Sequence, residues 1–305
     1  MSMNLVMQQI LIIFGYVFVG IGAGKLGIIN PEQRKFLTKL CSSLMLPFTI
    51  LSAASMEVGQ ETFRSFTIAV GIFFLIMGIT LAAAIVLGKA LHVERKLRSA
   101  MTSMITFPNC TFLGLPLCMA LFGQMAVLYN CAALIAFNVL FFMVQVPVFT
   151  GGKVSLKAVL SVPTVTTFVL LAMLILGIHW PAPAQTVIGN VGSMITPMSL
   201  IIIGVMLSEN DLLTVFREKQ VYLVVLLRNL LIPAVTMLIL RGIPMAVQDK
   251  MCVLVYLSCP CATLTTIYSI QTDTKPELCA RGVLFSTIAF AGTLPLVIAV
   301  GQLLL

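Results

Sequence analysis

The chain has 305 residues, of which 60% are hydrophobic and 9% charged, with a mean hydropathy of +1.11. A soluble domain carries about 25% charged residues to keep its surface in water, so this composition excludes a water-soluble fold and points to the bilayer as solvent. The net charge of +8 is spread over short loops without a basic tail, which fits orientation in a membrane and argues against a nucleic-acid partner.

Ten apolar segments follow in chain order, at residues 5–24, 36–56, 65–88, 98–121, 126–149, 156–178, 185–207, 219–240, 247–271 and 278–303. Charge-free runs separate Arg98 from Lys153 by 54 residues and Lys157 from Glu209 by 51. A helix needs ~20 apolar residues to cross ~30 Å of hydrocarbon, so each run holds two spans and a turn. Barrel strands would be ~10 residues long and would alternate apolar with polar; these segments do neither. The expected fold is all-α and polytopic, with ten transmembrane helices.

The first 24 residues carry no charged side chain, whereas Lys25, Arg34, Lys35 and Lys39 follow the first span. A secretory leader would open on a basic stretch. Fourteen Lys and Arg fall in loops on one side, and only Arg64, Arg241 and Lys250 on the other. That bias places both termini outside and the richer loops in the cytoplasm of an inner (cell) membrane. Trp180, between His179 and Pro181, is expected as an interfacial aromatic.

The two halves repeat. Ser43–Ser193, Pro47–Pro197, Phe63-Arg64 with Phe216-Arg217, Pro108–Pro260 and Pro147–Pro295 pair at offsets of 148 to 153. Five spans per half is an odd number, so the second half enters from the opposite face. The chain is read as two inverted five-helix repeats, 1–152 and 153–305, the plan of alternating-access carriers.

Spans 4 and 9 each carry a proline near mid-membrane followed by small polar residues: Pro108, Asn109, Cys110 and Thr111 in one, Pro260, Cys261, Ala262, Thr263, Thr265 and Thr266 in the other. Proline lacks an amide donor and clashes with the carbonyl four residues earlier, so the helix opens, and the freed groups need a partner other than lipid. Two broken helices meeting at the midplane would present half-helix N-termini suited to a carboxylate. All ten Asp and Glu residues sit in loops or at span ends, and the ionisable residue well inside a span is Arg228, followed by Asn229. Such an interior suits an anion and gives a metal cation nothing to bind. Asn138 in span 5 is the best further polar candidate, ahead of Asn130, Gln145 and Gln271. Eight scattered cysteines form no C-x-x-C pair, and Cys259-Pro-Cys261 has no His or carboxylate beside it, so neither a metal nor a disulfide framework is implied. No cofactor motif and no nucleophile–base pair is present, so no enzyme activity is expected.

Pro108-Asn109 with Gly114 and Pro116, the echo at Pro260, the Gly24-Lys25-Leu26-Gly27 turn and Leu46-Pro47 resemble the auxin efflux carrier family, which includes the plant PIN proteins. The resemblance covers the whole length. It implies broken helices 4 and 9 crossing at their prolines, a moving part of spans 3–5 and 8–10, a scaffold of spans 1, 2, 6 and 7, a homodimer, and small carboxylate substrates. Plant members carry asparagine after both prolines; Asn109 keeps the first and Cys261 stands at the second. The resulting expectation is a carrier of small mono- or dicarboxylates working by alternating access. The alternatives are a sodium-coupled carrier of the bile acid symporter type and a membrane sensor that binds without transporting.

Overall fold

A computed structural model describes residues 3–152, 159–209 and 218–305. Lys153, Lys157 and the Phe216-Arg217 landmark lie outside the described residues. Among those described, the chain forms helices and no β-strand: α1 Met3–Lys25, α2 Pro31–Ser55, α3 Gln60–Ala90, α4 Arg95–Thr106, α5 Cys110–Phe122, α6 Met125–Thr150, α7 Val162–Leu176, α8 Ala182–Ser208, α9 Lys219–Arg241, α10 Val247–Ser258, α11 Thr263–Thr272 and α12 Pro276–Leu304. Seven of these (α1, α2, α3, α6, α8, α9 and α12) are long and apolar enough to cross a membrane, and α5 and α7 are shorter apolar helices. The segments read from sequence at 98–121 and 247–271 are each two short helices separated by extended backbone.

Prolines shape the helices in two ways. In α2, α6 and α9 the residue before the proline donates its amide five residues back: Leu46 to Cys41, Val146 to Phe141 and Ile232 to Leu227. Widening one turn to a π-type ring gives room for a pyrrolidine that cannot donate and would crowd the preceding turn. The helix therefore runs on through Pro47, Pro147 and Pro233. At Pro108 and Pro260 it does not; Phe107 (φ −100°, ψ 111°) and Cys259 (φ −55°, ψ 148°) are extended, the region favoured by a residue preceding proline.

The chain divides into two compact units. The first comprises residues 1–68, 111–134 and 160–210, hence α1, α2, α5, α7 and α8 with the ends of α3 and α6 that adjoin them. Its tightest packing is α1 against α8. A Cβ on Gly20 would fall 2.1 Å from the Ile201 carbonyl oxygen, and one on Gly204 would fall 2.0 Å from that of Val17. Small residues let membrane helices approach backbone to backbone, where dispersion replaces the hydrophobic drive that lipid cannot supply. Thr49 on α2 donates to the Gly192 carbonyl of α8 at 2.8 Å. Trp180, expected as an interfacial aromatic, donates its indole N–H to Leu51 at 3.1 Å. Gln185 donates to Ser52 at 3.0 Å, and His179 Nδ1 lies 2.8 Å from the Ala54 carbonyl. These three side chains donate to or lie against carbonyls in the last turn of α2, where helix ends leave acceptors short of backbone partners.

The second unit comprises residues 69–110, 135–159 and 211–305, and carries α4, α9, α10, α11, α12 and the remainder of α3 and α6. Both proline breaks lie in it. All eight cysteines of the chain are buried free thiols.

Candidate functional site

The site is built on the two breaks of the second unit. Pro108 and Cys261 form an antiparallel bridge. The Asn109 amide donates to the Pro260 carbonyl at 2.7 Å, and the Ala262 amide to the Phe107 carbonyl at 2.9 Å. Each break thus supplies the partner that the other's backbone lost when its helix opened, and no polar group is surrendered to lipid. Asn109 Nδ2 stands 3.4 Å from Thr263 Oγ1. That weak bond brings the side chains that follow the two prolines to one place. Asn109 is buried, at 5% exposed, and Thr263 is partly exposed.

Arg228 holds the other ends of the broken helices. It is 1% exposed and lies in the π-turn of α9 at Leu226–Leu231. Its Nη1 donates to the Ile105 and Thr106 carbonyls, each at 3.1 Å, and its Nε donates to Cys259 at 2.9 Å. Its Nη2 donates to Leu257. Ile105 and Thr106 end α4, and Leu257 stands in the last turn of α10. Helix C-termini carry unpaired carbonyls and about half a negative charge, and one planar guanidinium meets two such ends at once. Asn229 donates to the Ser286 carbonyl of α12 at 2.9 Å, while Ser286 Oγ accepts the Cys261 amide at 3.1 Å. Breaks, α9 and α12 form one hydrogen-bonded assembly.

The remaining sequence-derived candidates sort by position. Cys110 and Cys261 are buried, with Cys110 Sγ 3.9 Å from the Tyr256 carbonyl. Thr265 is fully buried and its hydroxyl donates to Ala262 at 2.6 Å, inside the first turn of α11. The hydroxyl of Thr266 is buried. Asn138 is buried on α6 beside Phe137, which with Phe141 packs edge-on against Phe107 at 5.0 and 4.9 Å. Thr111 follows Cys110 in the chain but opens the 111–134 segment of the first unit. Ser286, Phe107 and the buried α4 hydroxyls of Ser99, Ser103 and Thr106 were not legible as site residues. A repeat of Ser/Thr at positions i, i+4 and i+7 upstream of Pro108 is the signal that points to the hydroxyl face.

Electrostatically, the described part of the chain buries Arg228 and Lys250 and no carboxylate. Among the described residues, the breaks stand beside polar side chains and the Arg228 guanidinium.

A family model described as a membrane transport protein matches residues 5–151 and 144–298. The chain belongs to the auxin efflux carrier family of membrane transport proteins. No curated protein matches the chain. Membership makes the chain a membrane transporter.

Proposed function

We propose that this transporter is a secondary carrier of small organic anions, working by alternating access in the cell membrane. In this reading the helices form ten spans in two inverted repeats, with α4–α5 and α10–α11 as the broken fourth and ninth spans and both termini outside. The observation that carries it is the joining of the two proline breaks through Asn109, Pro260, Phe107 and Ala262, with Asn109 and Thr263 side by side. The first turn of α11 offers the amides of Thr263 and Leu264 at a positive dipole end, the Thr265 amide donating to the Ala262 carbonyl at 3.0 Å. A substrate carboxylate would take these amides and the Asn109 side chain, the Asn109–Thr263 bond being weak enough at 3.4 Å to yield.

Arg228 enters this reading as a positioning residue. Its guanidinium donates to four backbone carbonyls, so it sets the geometry of the breaks and adds positive potential behind them without touching the substrate. A permanently bound cation also occupies the role that an exchangeable sodium ion would have in holding carbonyls together. This favours sodium-independent transport over the bile-acid-symporter alternative.

The test is a thermal-shift screen of purified protein against small mono- and dicarboxylates, in sodium and in potassium buffers, repeated with Asn109→Ala. Stabilisation of the wild type by one carboxylate, equal in both salts and lost in the variant, is the expected result. Stabilisation that requires sodium would refute the fixed-cation reading, and none by any anion would remove the substrate class. Flux of the identified anion into proteoliposomes separates a carrier from a sensor.

A further inference from the structure

The second unit carries an apolar groove of about 570 Å³, walled by α3, α4 and α9. Along α3 it runs from Ile76 to Gly88 and on to Leu91 in the following turn, along α4 from Ile105 back to Leu97, and along α9 from Ile239 back to Gln220. Fifteen helical residues rise ~22 Å, more than the ~15 Å depth of one leaflet. Arg98 and Gln220 give the groove its polar part, while Ile105 stands level with the middle of α9, where its carbonyl accepts from Arg228 at 3.1 Å. Leu87 and Leu91 in its wall are 59% and 75% exposed.

The polar part is built. The Arg98 stem crosses α3 at Gly88, where a Cβ would fall 2.7 Å from Arg98 Cδ. Its guanidinium carbon lies 5.9 Å from the centre of the Phe149 ring, and Nη1 reaches only the Val93 carbonyl at 3.5 Å. The buried Nε of Arg98 meets no acceptor among the described residues. Lys89 and Lys219 are exposed chain neighbours of the lining residues Gly88 and Gln220; Glu94, beside the lining residue Val93, is paired with Lys275 at 3.5 Å, and among the described residues no carboxylate itself lines the groove.

We propose that this groove is a binding site for an anionic phospholipid, one acyl chain lying between α3, α4 and α9 and the phosphate meeting Arg98. Water gains nothing from such a lining, and in a bilayer hydrocarbon fills it. The selectivity comes from Arg98, whose Nε meets no acceptor among the described residues, with the exposed Lys89 and Lys219 adding positive charge next to lining positions. A guanidinium is the side chain best shaped for phosphate. The site lies outside the carboxylate-binding reading and does not depend on it.

Native mass spectrometry of the purified full-length protein, titrated with phosphatidylglycerol and phosphatidylcholine of identical chains, tests this. A basic residue near a membrane surface is worth ~1 kcal/mol toward anionic lipid, so phosphatidylglycerol should bind at least about fivefold more tightly. Arg98→Gln should lose most of that preference while still taking up both lipids. Ala84→Phe, filling the groove, should lower binding of both. Glycerol phosphate, lacking acyl chains, should not compete. If Arg98→Gln does not fold, Lys89→Gln with Lys219→Gln should still lower the preference. Equal binding of the two lipids by the wild type, or a preference unchanged in every Arg98 and lysine variant, overturns the proposal.

Discussion

Replacing Arg228 by Met keeps a chain of similar length in the α9 π-turn and removes every donor. Four backbone carbonyls, of Ile105, Thr106, Leu257 and Cys259, then lose their partner. Polar pairs inside membrane proteins average ~0.6 kcal/mol, and model peptides give ~1–2 kcal/mol, so four bonds bracket roughly 2 to 8 kcal/mol. Removing a buried charge also removes its desolvation cost, which returns part of the loss. An expected destabilisation of ~4 kcal/mol follows, a size reserved for broken buried networks. Arg228→Lys should fall between, because an ammonium has three donors on one atom and cannot span the ends of two helices as a planar fork does. The assay is the thermal midpoint of detergent-purified protein, read beside the elution of a monodisperse species. A Met variant that unfolds at the wild-type temperature would refute the view that Arg228 holds the two breaks together.

Three further outcomes are expected. Asn109→Ala and Thr263→Val should each weaken carboxylate affinity roughly fivefold to tenfold at unchanged thermal stability, one hydrogen bond being worth ~1 kcal/mol; a double-mutant cycle then reports whether the two act on one ligand. Gly204→Val places branched carbons against the Val17 carbonyl and the Gly20 backbone of α1, and should cost more than the ~1–3 kcal/mol typical of overpacking, read as loss of folded protein on size exclusion. The exposed Lys96–Asp273 pair, with Nζ and Oδ2 2.5 Å apart, holds the Asp273 carboxyl below 3.8 and the Lys96 ammonium above 10.5, mainly through their mutual hydrogen bond. The Asp273 contribution is present above 3.8 and lost as pH falls through its lowered value; that of Lys96 is present below 10.5 and lost as pH rises through its raised value. Stability should therefore be indifferent to this pair between these limits. Asp273→Asn should shift the melting temperature little, and less still at high salt, because both groups are exposed.

The sequence by itself settles the solvent, the helical class and the identity of the polar residues inside the spans. Long charge-free runs admit no other reading, because an unpaired backbone amide in hydrocarbon forces helices. Asn109, Thr263 and Arg228 stand out for the same reason: a polar group in lipid is costly enough to be conspicuous. What the sequence does not decide is what each proline does. Pro47, Pro147 and Pro233 sit in helices as apolar as those around Pro108 and Pro260, and every one of them lacks the same amide. The first three are absorbed by a local π-turn within one helix. The last two become breaks because a second open segment, about 150 residues away in sequence, offers the complementary carbonyl and amide, and because Arg228 takes up the carbonyls left behind. Which polar groups find each other over that separation is a property of tertiary packing, and so is the contrast between Arg228, bound to backbone carbonyls, and Asn109, whose side chain meets Thr263 across the two breaks.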